Sequence, residues 1–259
     1  MPLFDGTRPR KRWRYVGIFC EELMACAAIV HVGLARQAFW AIYLREDGSL
    51  LQRTRLLPWP GASIQLEKGR LRVRDRGVAM DVSLEEQQGI QALCGHGAGK
   101  VWTRKQAGVL ATGTLILDGQ SPRPIRALAV IDDTAGHHAR LTEWRWAAGV
   151  GQDEDGRQVA FNLVEGVNDP PTGSERAIWV DGTPSEAAPV SFSEDLSLIT
   201  AEDGSELRFQ AEVQRRRHEN LLIIQSDYTA PFGSFSGTLP GGLALAHGLG
   251  VVEHHRARW

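Results

Sequence analysis

Turn signals break this chain at short intervals, and the segments between them alternate apolar and polar residues with a period of two. That pattern fits strands, because successive side chains of an extended backbone point to opposite faces. "WRYVGIF" (Trp13 to Phe19) begins the series. "LMACAAIVHVG" is ambiguous by itself, since its alanines suit a helix. The segments after it, "QAFWAIYLRE", a turn at Asp47–Gly48 and "SLLQRTRLL", form a hairpin signature and favour a strand. "ASIQLEKGRLRVRD" turns at Lys68–Gly69. "GVLATGTLIL" and "RPIRALAVI" flank "DGQ", and "RLTEWRWAAGV" and "RQVAFNLVEGV" flank "DEDG". "RAIWVDG", "APVSFSE", "LSLITAEDG", "ELRFQAEV", "NLLIIQSDY" and "FGSFSGTLPGG" continue the series. One segment, "SLEEQQGIQAL", reads as a weak helix interrupted by Gly89. So many strands must close or stack to hide their edges.

The 259 residues suffice for one large core or two smaller ones. A net charge of −2 gives no field that would draw nucleic acid or an anionic membrane. The basic "RPRKRWRY" is expected to be a solvated terminus leading into a strand. Cys20, Cys26 and Cys94 are odd in number and lack C-x-x-C spacing, which argues against a disulfide framework and a structural zinc site. Reduced thiols and the lack of a secretory signal lead us to expect a cytoplasmic protein. No apolar run approaches the ~20 residues of a membrane helix.

"DDTAGHHARLTEWRW" (Asp132 to Trp146) carries most of the candidate chemistry. A carboxyl beside apolar rings is desolvated, which raises its pKa and lets it deliver a proton near neutral pH. Asp132 and Asp133 are therefore candidate acids, though one could simply cap the turn and the other face water. Adjacent aspartates on extended backbone point oppositely, so only one can face inward. Arg140 or Arg145 could pair with that residue instead. Trp144 and Trp146 share a face with Thr142, while Glu143 and Arg145 share the other. The rings are either plain core or the wall of an apolar ligand cavity. Glu253 is either a surface acid or a cavity residue beside Asn162 and Glu175, and Trp102 and Trp179 are further candidates for the lining. His137–His138 and His254–His255 are adjacent pairs that point to opposite faces and make no ready chelate, so no metal is expected. The chain has no G-x-S-x-G elbow, no P-loop at "GAGK" and no H-E-x-x-H.

"KRWRYVGIF", "VWTRKQAG", "IDDTAGHHARLTEWRWAAGVG", "VAFNLVEGVNDPP", "SERAIWVDG", "SDYTAPFGSFSGTLPGG" and "GLGVVEHHRARW" together resemble the bacterial family known as domain of unknown function 2804, from about Arg10 to Trp259. That family has no established activity. More distantly the chain is similar to tandem lipocalin-like proteins, a group with carotenoid 1,2-hydratase, tocopherol cyclase and fungal Diels–Alderases. The shared layout is an acid–glycine turn before a W-x-W strand and a late glycine–glutamate strand. This likeness implies two barrel-like halves, a hydrophobic cavity and an aspartate that protonates an alkene, which by position is Asp132 or Asp133. Here "DDTAGHH" stands where that group carries an aromatic and a tryptophan near the glycine.

The expectation is an all-β protein of two packed lipocalin-like (calycin-type) antiparallel halves. Residues 1–11 form an N-terminal arm, 12–129 the first half and 130–259 the second. An internal apolar cavity binding a small lipophilic molecule, isoprenoid-like or acyl, is the leading function. The alternative is an enzyme, needing no cofactor, for acid-catalysed hydration, cyclisation or isomerisation. Asp132 or Asp133 would be its donor, Glu253 or His255 its base, and Trp144 and Trp146 would stabilise a cation. A third class is an interaction module with a filled core.

Overall fold

The structure, a computed structural model, describes residues 1–56, 63–221 and 224–258. Leu57 and Ala62, at the ends of two expected strands, lie outside it, as does the middle of "NLLIIQSDY". On either side of that gap the chain forms two paired strands. A short hairpin, β1 (Phe4–Asp5) and β2 (Arg8–Pro9), precedes the main sheets.

The first sheet holds β3 (Lys11–Phe19), β4 (Leu23–Val32), β5 (Ala35–Leu44), β6 (Ser49–Leu56), β7 (Ser63–Glu67), β8 (Arg70–Asp75), β9 (Val78–Leu84), β10 (Ile90–His96), β11 (Gly99–Leu117) and β12 (Arg123–Gly136). The second holds β13 (Leu141–Asp153), β14 (Gln158–Glu165), β15 (Ala177–Val180), β16 (Thr183–Glu186), β17 (Val190–Phe192), β18 (Leu198–Ala201), β19 (Glu206–Leu221), β20 (Ile224–Leu239) and β21 (Leu243–Arg258). Both are antiparallel and curl into half-barrels. The first runs β6-β5-β4-β3-β12-β11-β9-β8-β7, with β10 added on β11. The second runs β16-β15-β14-β13-β21-β20-β19-β18-β17. The order is the same in both halves: the first and last long strands pair at the centre. β12 belongs wholly to the first sheet, so the chain changes sheet after Gly136 and the expected junction at 129/130 falls inside a strand.

"SLEEQQGIQAL" is not helical. Ser83 and Leu84 end β9, and β10 begins at Ile90. Gly89 between them has φ +68°, and a Cβ there would lie 2.4 Å from the Lys105 carbonyl oxygen. Glu86 is held by Arg14 and Arg104 in place of helical neighbours.

Three cores follow from strand alternation. Val16, Ile18, Ala25 and Ala27 fill the first half-barrel. Phe161, Leu163, Phe209 and Phe235 fill the second. Tyr15, Phe19, Met24 and Cys26 point the other way and meet Trp146, Ala148, Val164 and Phe232 between the halves. β4 and β14 are thus buried on both faces, which explains the near-continuous apolar run in "LMACAAIV".

Two bulges adjust which side chains reach the middle layer. The β11–β12 register shifts between Ala107 and Val109. Gly108 sits there at φ +74°, where its lack of a side chain matters. Ala107 faces the middle layer, whereas Val109, Ala111 and Leu115 face the first barrel. The β19–β20 register shifts between Ala211 and Val213. Before it Leu207 and Phe209 face the second barrel, and after it Val213 faces the middle layer.

Candidate functional site

A cavity of about 220 Å³ lies in the middle layer, between the halves and not inside either barrel. Each barrel interior holds its own cluster of buried apolar side chains. The cavity exceeds the ~150 Å³ apolar void that takes a benzene-sized guest. Aromatic walls come from both halves, with Trp13, Tyr15 and Phe39 facing Trp144, Trp146 and Tyr228.

The equal strand order gives the site a two-part layout. On the central pair of the first half, Tyr15 stands opposite Asp132 and Trp13 opposite Thr134. On the central pair of the second, Trp146 stands opposite Glu253 and Trp144 opposite His255. Trp13 Nε1 donates to Asp132 Oδ2 at 2.8 Å, and Trp144 Nε1 donates to Glu253 Oε1 at 2.8 Å. The two indoles stack, centroids 6.1 Å apart and planes 11° from parallel. Beneath them Tyr15 meets Trp146 edge to face at 5.5 Å.

The two carboxyls differ in their remaining neighbours. Asp132 pairs with Lys105 Nζ at 2.9 Å and accepts from Thr134 Oγ1 at 2.7 Å. Lys105 also reaches Glu175 Oε1 at 3.0 Å, and Asn168 Nδ2 donates to Glu175 Oε2 at 3.0 Å. Burial alone would lower the lysine pKa, but the two carboxylates raise it above the usual value. Burial raises Glu175, against the pull of Lys105. Among the described residues no cation forms an ion pair with Glu253. Burial pushes its carboxyl up to about 7, against the hydrogen bonds from Tyr228 and Trp144. His255 accepts or donates to Ser226 Oγ at 2.8 Å, and burial draws its pKa down to about 3. His138 is buried against Trp13, and neither of its ring nitrogens has a well-formed hydrogen bond.

Of the residues expected from sequence, Asp132, Trp144, Trp146, Glu175, Glu253 and His255 line this cavity. Asp133 does not. It points to the opposite face, where Arg14 donates to both of its oxygens and Arg104 reaches it at 2.7 Å. Arg140 and Arg145 pair with neither aspartate; Lys105 pairs with Asp132, and Arg14 and Arg104 with Asp133. Trp102 faces the same way as Arg104 and donates to Gln91, away from the cavity. Asn162 lies behind the wall, accepting from Trp146 Nε1 at 2.7 Å and donating to the Glu175 carbonyl at 2.8 Å. Trp179 is buried in the middle core without reaching the cavity. Lys105, Trp13, Tyr15, Arg215 and Tyr228 join the cavity lining without a signal in the sequence, as does His138, which the sequence offers only as half of a histidine pair. "RWRY" before Val16 and "EWRW" before Ala147 are nonetheless alike, and they lie on β3 and β13, the counterpart strands of the two halves. Among the described residues no group of three or more His, Cys, Asp or Glu is placed to hold a metal ion, and no helix is long and apolar enough to cross a membrane.

Trp144 both walls the cavity and holds Glu253. Trp144→Ala is expected to cost about 3 kcal/mol, at the low end for such truncations because the ring is half-buried. Urea denaturation measures this, and a loss below ~1 kcal/mol would mark the ring as peripheral.

The family model described as "Domain of unknown function (DUF2804)" matches residues 97–259. No curated protein matches the chain. Among solved structures, kievitone hydratase from Nectria haematococca is similar at 14% identity and a TM-score of 0.61, over 94% of this chain and 88% of that one. A Nitrosomonas europaea protein provisionally described as AttH is similar at 12% identity and 0.59, over 95% and 92%. CghA is similar at 9% identity and 0.53, over 96% and 88%. At these identities the likeness shows a shared fold.

Proposed function

Because the chain belongs to the DUF2804 family, whose description carries no activity, we propose from the site itself that it binds a small lipophilic molecule between its halves and catalyses proton-initiated hydration, cyclisation or isomerisation there. The observation that carries this is Glu253. It is a buried carboxyl on an aromatic-walled cavity, held by neutral donors and titrating near 7. Such a group can hold a proton at neutral pH and release it to a bound substrate.

In this scheme Glu253 gives its proton to one carbon of an alkene, and the adjacent carbon becomes cationic. The stacked Trp13 and Trp144 faces stabilise that charge. The Asp132 carboxylate, held by Lys105, adds a fixed negative charge nearby. Water then attacks the cation in hydration, or an internal group does so in cyclisation, and the released proton returns to the Glu253 carboxylate. In isomerisation a neighbouring C–H loses its proton to the same carboxylate. Glu253 suits the base role better than His255, whose low pKa leaves it a poor proton acceptor. The hydratase named among the structural neighbours supports this class of reaction by analogy only.

The test begins with the lipophile that co-purifies with the protein, identified by native mass spectrometry and extraction. It is incubated in D2O with wild type and with Glu253→Gln. Wild type is expected to place deuterium on carbon, and the variant to do so about 10²–10⁴-fold more slowly. A protein that carries no lipophile, or a wild type that exchanges no faster than the variant, would overturn the proposal.

A further inference from the structure

One cation on the cavity wall is left unexplained by this chemistry. Arg215, on β19, is 4% exposed and lines the cavity. Its guanidinium lies over the Phe39 ring, 4.0 Å from the centroid, and 5.1 Å from that of Tyr228. Among the described residues its hydrogen-bond partner is Thr54, with Nη2 donating to Thr54 Oγ1 at 3.0 Å. Among the described residues no carboxylate pairs with it. The contrast with the other inward arginines is plain. Arg14, Arg45 and Arg55 are all paired with carboxylates, and the fully buried Arg176 spends its donors on the carbonyls of Asp169, Pro170 and Ala187. A guanidinium carries five N–H donors, so most of Arg215's remain for something in the cavity. A buried charge without a partner is costly and calls for a compensating anion.

The surroundings select the sign of that partner. Arg36 lines the same cavity, and the carboxyls among its described lining residues are Asp132, Glu175 and Glu253. Two of those carboxyls, Asp132 and Glu175, are already taken by Lys105. Phe39 and Tyr228, their ring centroids 6.3 Å apart, lie side by side against the guanidinium. A guanidinium edge can give a planar oxyanion two parallel N–H bonds.

We infer that Arg215 is the receptor for a carboxylate at one end of the substrate, so that the protein acts on lipophilic acids and not on neutral hydrocarbons or alcohols. This rests on the assignment of the cavity to a lipophile. Tyr228 touches both Arg215 and Glu253. A carboxylate on Arg215 therefore sets the apolar part of the molecule across the Tyr228 ring, with its double bond toward Glu253. The bulge between Ala211 and Val213 turns this stretch of β19 toward the middle layer.

The experiment compares two ten-carbon isoprenoids that differ at one end, geranate and geraniol, by isothermal titration calorimetry at pH 7.5. Wild type is expected to bind geranate at least tenfold more tightly, with a preference that shrinks as salt rises. In Arg215→Gln geranate affinity falls at least tenfold while geraniol affinity stays within threefold, and Arg215→Lys recovers part of the difference. If wild type binds geraniol as tightly as geranate, the carboxylate receptor is wrong and the acid–base proposal for Glu253 stands. If neither compound binds up to millimolar concentration, the assignment of the cavity to an isoprenoid-sized lipophile fails, and this inference with it. Should Arg215→Gln not fold, the wild-type preference and its salt dependence decide the matter alone.

Discussion

Lys105→Met is expected to lose about 3–5 kcal/mol of stability at pH 7.5, among the largest effects of any single substitution here. Lys105 Nζ is the shared counter-charge of Asp132 and Glu175, and all three side chains are buried. Methionine fills a similar volume, so the loss is electrostatic: two carboxylates remain in a low-dielectric layer without a cation. Protonation relieves that state, so the loss should shrink when urea denaturation is repeated at pH 4.5. The triple variant with Asp132→Asn and Glu175→Gln should recover most of the stability, because neutral amides need no counter-charge. A loss below ~1 kcal/mol for the single variant would mean that water already screens the three groups.

The second large effect has the opposite sign. The folded protein holds the Glu253 proton up to about pH 7, whereas the unfolded chain releases it near 4.5. The stability that comes from protonated Glu253 is complete below pH 4.5 and is lost as pH rises through 7. A gap of about 2.5 pK units corresponds to about 3 kcal/mol. Glu253→Gln cannot ionise and escapes this loss. Its unfolding free energy, relative to wild type, should therefore rise by about 3 kcal/mol between pH 4.5 and pH 8.5. All other titrating groups are common to the two proteins and cancel. A difference that stays flat across that range would show that Glu253 titrates as an ordinary glutamate, and the proton donor would have to be sought elsewhere. Greater stability at pH 8.5 together with slower deuterium transfer would be the signature of a group kept for chemistry at the expense of the fold.

Much of the fold is written in local pattern. The turns at Asp47–Gly48 and Lys68–Gly69 join hairpins as their residues require, since both glycines take positive φ. Trp144 and Trp146 share one face because nothing interrupts β13 between them. The opposed directions of Asp132 and Asp133 follow in the same way, and one of the two reaches the cavity. The rest was hidden for identifiable reasons. Alternation separates two faces but does not say what each face meets, and here both faces of the central strands meet a core. The cavity therefore sits between the barrels, a place that alternation within single strands does not mark. Bulges defeat parity altogether: Lys105 and Val109 are an even number of residues apart, yet Gly108 turns them to opposite sides. Arg215 is displaced in the same way from Phe209. The partners of Asp132 and Asp133 come from β3 and β11, far from either in sequence, so the nearby Arg140 and Arg145 were misleading candidates.

The shared strand order has a consequence for how chemical asymmetry arises in this molecule. The backbone presents Asp132 and Glu253 as counterparts, each opposite an aromatic residue on a first strand and each under a tryptophan N–H. Lys105 lies across from Asp132 on β11. By continuity of the register between Thr229 and Phe232, the matching place across from Glu253 on β20 is held by Ala230. Beside their carboxyls the two halves thus differ at one pair of positions, a lysine in one half and an alanine in the other. Polarity of this kind is not built into the architecture. It is a local setting, and exchanging those two side chains is the smallest edit that moves the counter-charge from one half to the other.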